Sequence, residues 1–138
     1  MITEIQDDII AQLETIEGVA TVDTWQGELE ELVKQPNRMP GLFAIYGGAD
    51  FSEKRVMSSN QVDDEMQFHI ILIAKNVRTR TQGAAECYAI IEAVRAKLKG
   101  HAITGYYGFL WPVSEELVSV VKGVFTYDLI YIIKTKAA

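Results

Sequence analysis

The stretch QFHIILIAKNVRTRTQGAAECYAIIEAVRAKLKG (residues 67–100) changes its hydrophobic period partway along, and that change decides the fold class. Together with Met66, its first part sets Met66, Phe68, Ile70 and Leu72 on one side of an extended chain, with Gln67, His69, Ile71 and Ile73 on the other. A period of two predicts a strand, apolar on one face throughout and on the second face from its midpoint. Beyond the polar KNVRTR, Cys87, Ile91, Val94 and Leu98 recur at steps of four, three and four, the spacing of a helical stripe. Thr79 and Gln82 fit a capping box at the start of that helix. Arg95, Lys97 and Lys99 crowd its last turn, where cations complement the helix dipole, and Gly100 closes it.

Working toward the N-terminus, GLFAIYGGADF (41–51) reads as a buried strand running into a glycine bend. The polar SEKRVMSSNQVDD (52–64) that follows has no helical period and reads as a long loop, of a length that is usually mobile or functional. Further back, Ile5, Ile9, Leu13 and Ile16 share a helical stripe, with Thr3 and Gln6 as a capping box and Gly18 as a left-handed cap. VATVDTW (19–25) is a short β-branched strand, GELEELVKQ one or two helical turns, and PNRMPG a turn. On the C-terminal side, VFTYDLIYIIKT (124–135) predicts a strand with Phe125, Tyr127, Leu129, Tyr131 and Ile133 on one face. The intervening HAITGYYGFLWPVSEELVSVVKG (101–123) reads as irregular structure around Trp111-Pro112, then a short strand or turn near Leu117–Val121. Two adjacent strands before the long helix and one after it favour an α+β fold, a mainly antiparallel sheet with helices packed on one face. The 138 residues are expected to form one domain, 1–138, with no repeats or linkers.

Composition narrows the function classes. An apolar fraction of 49% with 23% charged is that of a globular protein, and no apolar run approaches the length of a membrane span. MITEIQDDII carries acids where a secretory signal needs cations, so export is not expected, and one cysteine fits a reducing compartment. The net charge of −6 is unevenly spread. Residues 1–33 hold nine acids and no Lys or Arg, whereas residues 75–99 hold six bases against two acids. Such faces are either solvated or meet within or between subunits, where opposite patches set register and orientation.

Chemistry-bearing patterns are sparse. Neither His69 nor His101 has a Cys, His or carboxylate at metal-ligand spacing, and His69 is expected half-buried and hydrogen-bonded. Cys87 lies on a helical apolar stripe and reads as core, since reactive thiols need exposure and nearby positive charge. YGGAD (46–50) lacks the Lys-Ser/Thr and following helix of a phosphate loop, so a bend or bulge is expected. The acid pairs Asp7-Asp8, Asp63-Asp64 and Glu115-Glu116 are sequence neighbours whose side chains diverge, and read as solvated charge. A pI near 4.9 argues against binding a polyanion. Tyr106, Tyr107, Phe109 and Trp111 read as core and loop packing before a partner hot spot. No catalytic residue, metal ligand or cofactor site emerges, and the chain is not expected to be an enzyme.

Several of these segments, taken in order, resemble a known family. They are the acidic N-terminal helix, GLFAIYGG, the alternating strand, GAAECYAIIEAVRAKLKG and GFLWPVSEELVSVVKGVFTYDLIYIIKT, with residues 110–135 the most specific part. The chain is similar to the small tail-completion proteins of Mu-like phages and prophages, which are related in shape to phage tail terminators. That resemblance implies a tail-terminator-like sandwich and a structural virion role: a ring, commonly hexameric, that caps a finished tail tube and meets the head-side connector. It implies no cofactor, no membrane, DNA only in passage through the lumen, and residence first in the host cytoplasm and then in the virion tail. An acidic lumen would let DNA pass without sticking. The cationic Lys75, Arg78 and Arg80, with Lys54 and Arg55 of the 52–64 loop, are then expected at a subunit or tail contact, against the alternative of a solvated connection. Two other readings stay open: a small-ligand or regulatory binding module with an apolar pocket near His69 and Tyr106–Trp111, and a hydrolase with a His–carboxylate pair in a cleft.

Overall fold

The computed structural model describes residues 2–24, 39–53, 62–75, 80–103, 108–121 and 123–136. The elements in chain order are α1 (Ile2–Leu13), β1 (Thr21–Thr24), β2 (Gly41–Glu53), β3 (Val62–Lys75), α2 (Arg80–Leu98), β4 (Leu110–Val121) and β5 (Val124–Lys136). The strands form one sheet in the order β1-β2-β3-β5-β4. β1 pairs parallel to β2, and every other pairing is antiparallel. This is the expected α+β architecture.

The periodicities build the core directly. Ile5, Ile9 and Leu13 of α1 and Cys87, Val94 and Leu98 of α2 are fully buried against the same sheet face. That face offers Leu42 and Ala44 of β2, Phe68, Ile70 and Leu72 of β3, and Leu129, Tyr131 and Ile133 of β5. Each large apolar side chain so removed from water contributes about 1.5–3 kcal/mol before ordering entropy is subtracted. The second face of β3 turns apolar halfway along, as its sequence indicates. There Ile73 joins Phe43 and Val124 in a smaller cluster with Met39 and Ile71. At the middle of the sheet β3 and β5 pair from Asp63↔Lys136 to Lys75↔Val124 without a break in register.

Local signals mostly act where they are expected. Gly18 and Gly100 adopt left-handed conformations (φ 85° and 78°) behind the two helices. The YGG bend is a bulge: the β2–β3 register slips between Tyr46 and Gly48, and Gly48 has φ 125°. The first capping box does not form. α1 already begins at Ile2, and the Gln6 amide turns instead to donate to Thr24 Oγ1 (3.2 Å), whose hydroxyl donates to the Ala44 carbonyl (3.1 Å). This relay fastens α1 to β1 and β2. The expected 27–35 helical turns and Thr79 lie outside the described residues.

Two further expectations need correction. The 52–64 segment is not loop throughout, because β2 runs to Glu53 and β3 starts at Val62, with Glu53 paired to Val62. Backbone ladders carry strands past the helix-covered core, where polar residues on both faces erase the alternating signal. The chain around Trp111-Pro112 is not irregular: the strand expected near Leu117–Val121 begins already at Leu110 and is a full edge strand of 12 residues. Bulges at Val113 and Val118 shift its register against β5, and its proline is tolerated because an edge strand has neighbours on one side only.

Candidate interaction surface

Two imidazoles are held by carboxylates remote in sequence. His69, on the sheet face away from the helices, places Nδ1 2.9 Å from both carboxylate oxygens of Asp128 on β5. The ring lies over the backbone of the Gly47 bulge: a Cβ built there would sit 2.3 Å from His69 Cδ2 and 2.6 Å from Nε2. His101, just beyond α2, places Nε2 3.1 Å from Asp8 Oδ1 and so ties α1 to the end of α2. Both histidines are half-buried and hydrogen-bonded, as expected for His69. The neighbouring concavity, lined by Gly47, Gly48, Ala49, Glu65 and Gln67, holds about 170 Å³. That is below the roughly 300 Å³ at which small-molecule pockets begin. Among the described residues no hydroxyl or thiol is hydrogen-bonded to either ring, and no group of three His, Cys, Asp or Glu side chains could hold a metal ion.

Two buried titratable groups are held in their neutral forms. Cys87 is fully buried, and burial, reinforced by the Glu86 charge, pushes its thiol up to about 11. A neutral, enclosed thiol is a poor nucleophile. Burial pushes the Tyr131 phenol up to about 12, with Glu115 adding to the shift and Arg95 opposing it. The Tyr131 hydroxyl has no protein partner among the described residues.

The expected cationic contact falls largely outside the described residues. Lys75 ends β3, opposite Val124. Arg80 opens α2, with its side chain outside the described part, and Arg78, Lys54 and Arg55 lie outside the described residues. Glu53, which immediately precedes Lys54, pairs with Val62 at the far end of β3. The 14 residues of β3, at ~3.3 Å per residue, therefore stand between Glu53 and Lys75 and put them at opposite ends of the sheet.

A different surface was missed by the sequence. Of the exposed large hydrophobics among the described residues, Phe109, Trp111, Val113, Leu117, Val118 and Val120 all belong to β4 or the residue before it. Phe109 and Trp111 are 56% and 47% exposed, which overturns their assignment to core packing; Tyr106 and Tyr107 lie outside the described residues. The two rings meet edge to face at 6.2 Å, and Lys99 Nζ stands 4.9 Å from the Trp111 ring. Beside them Arg95 grips Glu115 through two guanidinium nitrogens, with Nε 2.9 Å from each carboxylate oxygen. A recurring apolar spacing after LWPV could have flagged this strand, but Pro112 and Glu115-Glu116 interrupt it.

The arrangement defines an α+β protein whose helices cover one face of a mostly antiparallel sheet and whose long edge is apolar. The chain belongs to the family described as "Bacteriophage Mu, Gp37", whose model matches residues 1–124. No curated protein matches it. Among solved structures it is similar to a chain of the "Virion of native gene transfer agent (GTA) particle", with a TM-score of 0.59 at 16% identity. The match covers 94% of this chain and 92% of that one, and it shows a shared fold. Among the described residues no helix is long and apolar enough to cross a membrane.

Proposed function

We propose that this chain is a structural phage or prophage virion protein, a tail-terminator or tail-completion subunit that forms a ring on the tail tube and joins it to the head-side connector. The observation that carries the reading is the family match over residues 1–124. It is supported by a fold shared almost end to end with a chain of a gene transfer agent virion. A ring subunit needs a rigid frame and a heterologous contact whose rotation closes, and it needs no catalytic group. A continuous sheet with a well-filled core provides such a frame. On this reading Lys75, Arg78 and Arg80, with Lys54 and Arg55, contact the next subunit or the tail tube. DNA passes through the lumen without being bound, and the protein moves from host cytoplasm to virion tail.

The test is the Arg78→Glu/Arg80→Glu variant, assayed by sizing and by completion of tails lacking the native protein. The monomer is expected to fold normally, with ring formation or tail attachment reduced at least tenfold. Unchanged assembly would remove these residues from the contact, and normal tail completion without the protein would remove the role itself.

A further inference from the structure

We propose that Glu115 has two alternative partners, the Arg95 guanidinium as described above and the buried Tyr131 hydroxyl in a second arrangement, so that the ion pair between α2 and β4 is a latch that can open. The inference is independent of the ring reading, since it concerns the inside of one subunit.

Three observations lead to it. The first is register. β4 pairs with β5 so that Glu115 lies opposite Leu129 and Pro112 opposite Tyr131. Leu129 and Tyr131, two residues apart on β5, turn to the same sheet face, the one that α1 and α2 cover. Glu115 is therefore the diagonal neighbour of Tyr131 on that face. Diagonal neighbours lie ~7–8 Å apart, a span that aromatic and long side chains cross. Arg95, on α2, meets Glu115 over the same face.

The second is an unmet donor. Tyr131 is fully buried, and its hydroxyl has no hydrogen-bond partner among the described residues. An enclosed hydroxyl without an acceptor is costly, and an acceptor that turns toward it relieves that cost. After burial itself, the influences on the phenol are the Glu115 carboxylate, which raises its pKa, and the Arg95 guanidinium, which lowers it. The phenol and both members of the ion pair therefore share one space between α2, β4 and β5.

The third is unequal exposure. The Arg95 side chain is 48% exposed and that of Glu115 22%. Arg95 Nε stands 2.9 Å from each carboxylate oxygen, so the closed latch turns the carboxylate toward the helix. On opening, the guanidinium passes into water, whereas the half-buried carboxylate accepts a charge-assisted bond from the Tyr131 hydroxyl. One orphan donor is satisfied as one ion pair is lost, and a partly exposed ion pair contributes little. The two arrangements are thereby close in free energy, and the opened one frees the last turns of α2 from the edge strand.

A double-mutant cycle on denaturant unfolding tests the latch. Arg95→Met should change the unfolding constant less than about threefold, because Tyr131 takes over Glu115. In a Tyr131→Phe background, where no hydroxyl can take over, the same change should cost about tenfold. In a Glu115→Ala background this dependence of one site on the other should disappear. If Arg95→Met folds poorly, Arg95→Ala gives the same comparison. Equal costs with and without the Tyr131 hydroxyl, or a coupling that survives Glu115→Ala, overturn the proposal. Neither result bears on the Arg78→Glu/Arg80→Glu assay, so the ring reading and this one can fail separately.

Discussion

β3 and β4 belong to one sheet and are similarly rich in apolar residues, yet those residues meet opposite fates. In β3 every second side chain from Met66 to Leu72 is at most 5% exposed. In β4 Leu110 is fully buried, while Trp111, Val113, Leu117, Val118 and Val120 are 47–59% exposed. Position within the sheet decides this: β3 has a strand on each side and helices above, whereas β4 has β5 on one side and an open edge on the other. An apolar side chain in the middle of a sheet stabilises the monomer. The same type at an edge contributes little until something covers it.

The largest expected effect probes the central strand. Phe68→Ala should cost about 3–5 kcal/mol in denaturant unfolding, whereas Val120→Thr on β4 should stay within about 0.5 kcal/mol. Equal costs would erase the contrast.

A smaller effect comes from alkali. Burial raises Cys87 from an ordinary value of 9.0 to about 11 and Tyr131 from 10.0 to about 12. In both groups the protonated form is neutral, so between these limits the folded chain binds more protons than the unfolded one. Stability is therefore intact below about pH 9 and falls as pH rises toward 12, by on the order of 1–3 kcal/mol per group. Tyr131→Phe should flatten the upper part of that decline and Cys87→Ala the lower; a decline unaltered in both would place its cause elsewhere.

The smallest effect concerns the open face. Gly47→Ala should cost about 1 kcal/mol, not through backbone strain but because its Cβ displaces the His69 ring from Asp128. In a His69→Ala background that cost should largely vanish, and a double-mutant cycle without coupling would show the contact to be idle.

How much could be read beforehand follows the same contrast. α1, α2, β3 and β5 each present one face to the core, so burial imprints a period of 3.6 or 2 on their sequences, and the stripes Ile5–Ile16 and Phe125–Ile133 were legible. Of β4 only the end near Leu117–Val121 was, because each bulge resets the phase of alternation and the proline and paired glutamates mimic a turn. The outer ends of β2 and β3 were illegible because their polar residues leave no apolar alternation. The histidine pairs escaped for another reason: Asp128 and Asp8 lie 59 and 93 residues from their partners, so only the folded topology brings them together.

The pairing of β3 with β5 also shapes how the molecule comes into being. Four of the five strands form two local antiparallel pairs, β2–β3 and β4–β5, joined along a single long seam whose partners are separated in the chain by α2 and β4. Within each pair the contacts are comparatively local, whereas the seam must be found by a long-range search, the kind of contact that slows folding. A slip of one residue there would turn Leu129, Tyr131 and Ile133 out into water, so the core itself proofreads the alignment.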